Sequence, residues 1–340
     1  PLIFRIYKYT PSIAKFVINF FLNFYHNKLK INIWHIIMMH PTATVCCDYF
    51  SNKEIPWVVR AIGVDIQTHQ KLKYGYRINN KIDSIIVNKG TKASAYIASS
   101  KDVLKEYLAL NIHSSKLYEI PNSVKLSLFQ NYEKLENNFR KKYKISQDEK
   151  IFLTVGRNHK KKGFSILLKA IKNFKKRNKL SRAKFVFYGT NLMSLKKISI
   201  DLSISKECIF LEEKNNVSDF YDYFPNKQLR EVYLNADFFI CPSIIESFGI
   251  VIVEAMAAGL PIIASNAKGC RNILDNGKYG LQFSVDNEIE LSNCIHQFYN
   301  DSNLVKKYKE LSLNRAKKYD LDVNLQNILA LYNKVISEKK

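Results

Sequence analysis

A chain of 340 residues has room for two α/β domains, and 53 Lys and Arg against 30 Asp and Glu leave it a formal net charge of +23. That balance favours nucleic acid, anionic lipid or a phosphorylated substrate as partner, but no arginine-rich tract or interleaved aromatic platform supports nucleic acid. No run reaches the ~18 apolar residues of a membrane span, and the six cysteines form no CxxC pair or metal-ligand spacing, as expected of free thiols in a reduced cytoplasmic protein.

The chain opens on Pro1, and residues 12–28 place Ile13, Phe16, Val17, Phe20, Phe21 and Phe24 on one side of a helix. We read it as a core-facing helix of an α/β layer in preference to a membrane-surface helix. Its most apolar part, FVINFFLNFY (16–25), is too short and too broken by Asn19 and Asn23 for a span or a signal peptide. INIWHIIMMH (31–40) reads as a strand closed by Pro41, IPWVVRAIGVDI (55–66) as a second ending at Gly63, and AYIASS (95–100) as a third leading into a helix over 101–110. A polar, lysine-rich stretch from about 125 to 150 reads as a linker with a short surface helix.

KIFLTVGR (150–157) opens a second α/β domain; its strand ends in Gly156, Arg157 follows, and a helix starts after Gly163. Arg157 and Lys162 would set a guanidinium fork and an ammonium at a strand's carboxyl end, which suits a diphosphate. Lys160 and Lys161 crowd the same loop, so a solvated basic loop is the bland alternative, and Lys162, beside the glycine, is the best of the three lysines. AKFVFYGTN (183–191) and CIFLEE (208–213) read as further strands, 217–225 as an insertion before a helix over 229–236, and 287–319 and 322–338 as amphipathic helices.

The most informative run is CPSIIESFGIVIVEAMAAGLPIIAS (241–265). FFIC (238–241) before it is a buried-strand pattern, Gly249 opens a helix that Gly259 and Pro261 end, and Leu260 to Ala264 is a second apolar strand. In such a βαβ unit the ligand sits at the strand's carboxyl end beside the helix N-terminus, where the backbone amides from Phe248 to Val251 would face an anion. Glu246 and Glu254 would each accept from hydroxyl groups; the bland alternative makes Glu246 a helix cap and leaves Glu254 solvated.

PSIIESFGIVIVEAMAAGLPIIAS resembles the donor-site signature of the retaining glycosyltransferases of family 4, with its Glu-x7-Glu pair. The resemblance covers roughly 31–338 and is strongest over 150–282. It implies an α/β protein of the GT-B kind, two Rossmann-like domains facing across a cleft: an amino-terminal acceptor domain over 1–131, a nucleotide-sugar domain over 132–321, and a last helix (322–340) returning to the first domain. Nothing before Ile31 has the form of the family's opening strand and glycine-rich loop, so the first βα unit is expected to be missing.

By this resemblance Glu246 orients the donor sugar and Glu254 binds the ribose, while Arg157 and Lys162 hold the leaving diphosphate; Gly156, Ser247, Phe248, Gly249, Ile250 and Val251 line the donor site. His40 and Asp65 are the acceptor-side candidates. Four positions depart from the family pattern: Ile62 stands where a His is expected, Ser123 in KLYEIPNSV (116–124) replaces a Gly, Lys268 replaces the first residue of a Gly–Gly pair completed by Gly269, and Asn272 replaces a Glu. The implied activity is transfer of a hexosyl unit from a UDP-, GDP- or ADP-sugar, with no cofactor and no metal, to a glycan or lipid-linked acceptor in surface polysaccharide synthesis. An anionic membrane face is a further candidate partner. The alternative is a degenerate or truncated relative that binds a nucleotide sugar without transfer.

Overall fold

Long apolar runs without alternation mark strands covered on both faces, and such strands pair in parallel. The computed structural model, which describes residues 11–130, 138–213 and 225–338, has this arrangement twice. By contact the chain divides into one unit that runs to Pro121 and resumes at Leu325, and a second formed by Asn122–Asn324.

The first unit holds four parallel strands in the order of the chain: β1 (Trp34–Ile37), β2 (Trp57–Arg60), β3 (Ala95–Ala98) and β4 (Leu117–Glu119). The side chains of the central strands β2 and β3 alternate between two buried layers, as the period of a strand requires. Trp57, Val59, Tyr96 and Ala98 meet Phe50, Val103 and Tyr107 on one face. Val58, Ala95 and Ile97 meet Leu331 and Val335 of the last helix, Leu321–Ser337, on the other.

The first helix, Pro11–Leu29, lies where the pattern predicts but is turned the other way. Phe16 is 73% and Phe20 60% exposed, whereas Ala14 is buried and Ile18 and Leu22 pack against the core. The helix carries a second apolar stripe at Ala14, Ile18 and Leu22, and its flanks decide between the two. Lys15 pairs with Asp48 on helix Thr44–Asn52, and Asn23 Oδ1 accepts at 2.7 Å from Nζ of Lys53, the residue just after that helix. Among the described residues no helix is long and apolar enough to cross a membrane.

In the second unit six strands are ordered β7-β6-β5-β8-β9-β10, with β5 Lys150–Val155, β6 Ala183–Gly189, β7 Cys208–Glu212, β8 Phe238–Cys241, β9 Ile262–Ser265 and β10 Leu281–Phe283. This is the doubly wound order of dinucleotide-binding sheets, with the chain reversing direction across the sheet between β5 and β8. A row of aromatic rings crosses that junction: Phe152 stacks on Phe185 at 5.1 Å and on Phe238 at 4.4 Å.

Several boundaries differ from the sequence reading. The units part after Pro121 rather than at 131/132, because Val124 already joins the second unit: its amide donates to Tyr319 O at 2.9 Å and its carbonyl accepts from Leu321 N at 3.1 Å. The last helix begins at Leu321 but passes to the first unit only from Leu325. The expected helix over 287–319 is two, Glu288–Asn300 and Ser302–Ala316, because Asp301 adopts extended backbone and its carboxylate accepts from Leu304 N as an N-cap. Of the expected insertion at 217–225, all but Pro225 lies outside the described residues, as do residues 131–137 of the polar stretch.

Candidate active site

In an open parallel sheet the strands on either side of the reversal send their following helices to opposite faces, which leaves a crevice at their carboxyl ends. Here those ends belong to β5 and β8, so the segments Gly156–Gly163 and Pro242–Gly249 meet. Lys161 O accepts from Ile244 N at 2.7 Å and Ile245 N at 3.3 Å, which ties one loop to the other. Gly163 adopts φ +66°, and a β-carbon there would stand 1.9 Å from Pro242 O, so only glycine permits the approach. Gly269 closes the other side: its amide donates to Glu246 O at 2.9 Å, and a β-carbon would fall 2.7 Å from both Glu246 O and Phe248 N.

Within this frame Lys162 Nζ donates to Glu246 Oε2 at 2.7 Å, and Ser243 Oγ lies 3.4 Å from the same oxygen. Burial alone would raise the Glu246 carboxyl, but the Lys162 ammonium, helped by Lys161 and Ser243, turns the net shift downward. Burial likewise disfavours the Lys162 ammonium, and Glu246 outweighs it and holds that ammonium above its usual range. Both groups are therefore ionised at neutral pH.

Helix Ile250–Ala257 begins at Gly249, which adopts φ +97° and supplies no side-chain cap. Glu246 is therefore not the cap; its carboxylate is spent on Lys162. The first-turn amides of a helix have no intrahelical acceptor and carry the positive end of its dipole, so the turn at Ile250 and Val251 is suited to an anion. Glu254 is 6% exposed rather than solvated. It accepts from Tyr233 Oη at 2.8 Å, and burial pushes its carboxyl up to about 7.

The remaining donor-side candidates fall around these loops. Arg157 is exposed, with no hydrogen bond or ion pair among the described residues, and its charge acts on Lys161 and His159. Gly156 ends β5 with its amide on Tyr188 O at 2.9 Å; Phe248 is buried with its ring edge-on to Tyr319 at 5.6 Å; Ser247, Ile250 and Val251 are half-buried. Asn272, in the position of the expected Glu, turns its side-chain amide back to Lys268 O at 2.9 Å.

The acceptor-side candidates belong to the other unit. Asp65 is fully buried and its carboxylate is spent on backbone amides, Oδ2 on Met39 N at 2.6 Å and Oδ1 on Ile62 N and Gly63 N, both at 2.9 Å. It organises its own loop and presents no free oxygen, which corrects the expectation that it faces an acceptor. His40 is half-buried, held by Thr44 Oγ1 at 3.0 Å and set edge-on to Tyr76, and burial lowers its pKa. Tyr233 and Ser243 escaped the sequence reading. Ser243 stood inside the quoted motif, whereas Tyr233 carried no local signal because its partner lies 21 positions away. Among the described residues no three of His, Cys, Asp and Glu gather as metal ligands.

Two parallel α/β units, the second with a doubly wound sheet whose reversal holds a cation–carboxylate pair, match the GT-B fold of solved glycosyltransferase structures. The solved structure of HepE from Anabaena in complex with UDP-glucose matches with a TM-score of 0.78 over 94% of this chain and 82% of its own, at 17% identity. The chain belongs to the family of glycosyl transferases group 1, whose model matches residues 135–317. An uncharacterised 41.2 kDa protein of the cps region of Klebsiella pneumoniae is 30% identical over 66% of this chain and 58% of its own length. The N-acetylgalactosamine-N,N'-diacetylbacillosaminyl-diphospho-undecaprenol 4-alpha-N-acetylgalactosaminyltransferase of Campylobacter jejuni is 26% identical over 52% and 44%. The chain spans about half the length of these curated relatives.

Proposed function

We propose that this glycosyltransferase is a retaining hexosyltransferase of family 4, moving a sugar from a UDP-, GDP- or ADP-sugar to a glycan or lipid-linked acceptor in surface polysaccharide synthesis. The observation that carries the reading is the buried Lys162–Glu246 pair at the β5–β8 junction, with the exposed Arg157, which has no ion pair among the described residues, on the same loop as Lys162. Arg157 and Lys162 take the donor diphosphate, with the first-turn amides of the helix at Ile250. Glu246, already ionised, accepts from hydroxyls of the donor sugar, and Glu254 from those of the ribose.

The bond from the anomeric carbon to the diphosphate oxygen breaks while one to the acceptor oxygen forms on the same face, and the acceptor proton passes to the departing phosphate. Charge grows on that phosphate in the transition state, so two fixed cations stabilise it more than they stabilise the ground state. In this reading no metal is needed for that charge. The lipid-linked acceptor named for the Campylobacter relative supports the acceptor class.

An anionic membrane at the cytoplasmic face is the proposed place of work. The exposed Phe16 and Phe20 support it, as does the absence of any Asp or Glu before Asp48 in a stretch that holds, besides the paired Lys15, Arg5, Lys8, Lys28 and Lys30. Each well-placed cation contributes about 1 kcal/mol at such a surface. Binding to phosphatidylglycerol vesicles that falls with salt and with Phe16→Ser/Phe20→Ser supports it; equal binding to phosphatidylcholine, or none, overturns it.

A binding-only protein has one observation in its favour, the Asn272 amide folded back on its own helix where a carboxylate is expected. The deciding experiment is release of nucleoside diphosphate from a panel of UDP-, GDP- and ADP-sugars by the wild type, Lys162→Ala and Glu254→Ala. Slow release from one donor, lost in both variants, supports transfer; binding without turnover favours the binding-only protein; binding of no donor sinks both.

A further inference from the structure

We propose that Tyr233 is a positioning residue for the donor site: its hydroxyl holds Glu254 Oε2, which aims the other carboxylate oxygen at the ligand. The inference rests on Glu254 being the ribose contact proposed above and adds a residue that the Glu-x7-Glu pattern does not contain.

The geometry is specific. Tyr233 sits on helix Lys227–Asn235, is fully buried, and reaches across to helix Ile250–Ala257, where its hydroxyl donates to Glu254 Oε2 at 2.8 Å and lies 3.3 Å from Val251 O. Its ring packs on Phe239 of β8 at 5.8 Å and on Phe129 at 6.2 Å, so the hydroxyl is held in place from behind. Glu254 makes no ion pair among the described residues, and Tyr233 is its hydrogen-bonding side chain. Tyr188 on β6 and Cys241 on β8 are the other titratable groups that act on Tyr233, and from the neighbouring helix Ser302–Ala316 Arg315 is spent on the carbonyls of Asn272 and Ile273.

A carboxylate in a dry site takes up a proton unless something donates to it. Burial pushes Glu254 up to about 7, and the Tyr233 hydroxyl works against that shift. Tyr233 therefore does two things at once. It fixes the carboxylate rotamer, and it limits the upward shift, so that an ionised acceptor is available as pH rises through about 7.

The test is the affinity for UDP-glucose, or whichever nucleotide sugar the panel selects, from pH 5.5 to 8.5. The diphosphate diester of such a donor does not titrate in that range. In the wild type, affinity is expected to rise with pH through about 7. Tyr233→Phe keeps the ring and removes the donor, so the limb moves up by about one unit, a loss of about tenfold at low pH. Much of the loss is regained at pH 8.5, and kcat at saturating donor stays within about twofold. Site-specific 3-fluorotyrosine at position 233, a stronger donor, moves the limb down and guards against a Phe variant that does not fold. A pH-independent loss in Tyr233→Phe, or an unmoved limb in both variants, overturns the inference while the donor site stands. If Glu254→Gln binds the donor as the wild type does at every pH, the ribose reading fails and this inference with it.

Discussion

Lys162 Nζ stands 2.7 Å from Glu246 Oε2 across a sequence separation of 84 residues, and the pair bridges the two loops at the sheet reversal. Removing one partner of such a pair strands a buried charge. Lys162→Ala is therefore expected to lower unfolding free energy by about 3 kcal/mol, the lower end of the range for a buried pair because the lysine side chain is 17% exposed. Lys162→Met with Glu246→Gln should restore most of that stability in urea unfolding without restoring release of nucleoside diphosphate. Recovery of turnover in the double variant would separate the pair from the chemistry.

Arg157 offers the converse. It is exposed and makes no hydrogen bond or ion pair among the described residues, so Arg157→Ala should leave unfolding within about 0.5 kcal/mol of the wild type. Donor turnover should fall about a hundredfold, the loss expected when one group stabilising transition-state charge is removed. Unchanged kcat/KM would remove Arg157 from the site.

Glu254 predicts an inverse pH dependence of stability. Its folded pKa of about 7 lies above the ordinary carboxylate value of 4.5, so between those values the native state holds a proton that the unfolded chain has released. Stability contributed by this group is full below the unfolded pKa and declines as pH rises through the folded one, by up to about 3 kcal/mol. Glu254→Gln removes the dependence, and urea midpoints at pH 5 and pH 8 should show the variant gaining on the wild type at the higher pH. An equal difference at both pH values would place the carboxylate in a wetter setting.

Gly163→Ala tests the joint between the loops. The new methyl falls 1.9 Å from Pro242 O, so the loop carrying Ser243 and Glu246 has to move, and turnover should drop at least about tenfold. Gly277→Ala is the comparison: φ is also positive, at +94°, but the nearest atom would be 3.6 Å away on a side chain. It should cost about 1 kcal/mol in stability and leave kcat/KM as it was. Equal effects on turnover would mean that backbone strain, not the Pro242 contact, explains the loss.

Much of this protein is legible in the chain itself. The apolar runs at 150–155, 183–189 and 238–241 specify buried strands, and Gly249, Gly259 and Pro261 bound the helix between β8 and β9, because backbone pairing and turn geometry depend on residues a few positions apart. The resemblance of 242–265 to the family's Glu-x7-Glu signature marked both carboxylates. The pattern could not say which stripe of helix Pro11–Leu29 turns inward, since two apolar stripes compete and the choice falls to Asp48 on another helix and Lys53 just after it. Nor could it say that Glu246 would be spent on Lys162, that Glu254 would depend on Tyr233, or that Asp65 would be consumed by the amides of Met39, Ile62 and Gly63. Local sequence determined which segments form strands and helices and which carboxylates stand near a loop. Only the order of strands in the sheet, with β5 beside β8, decided which charges meet, because a buried ion takes whichever partner the packing of distant segments brings within hydrogen-bonding reach.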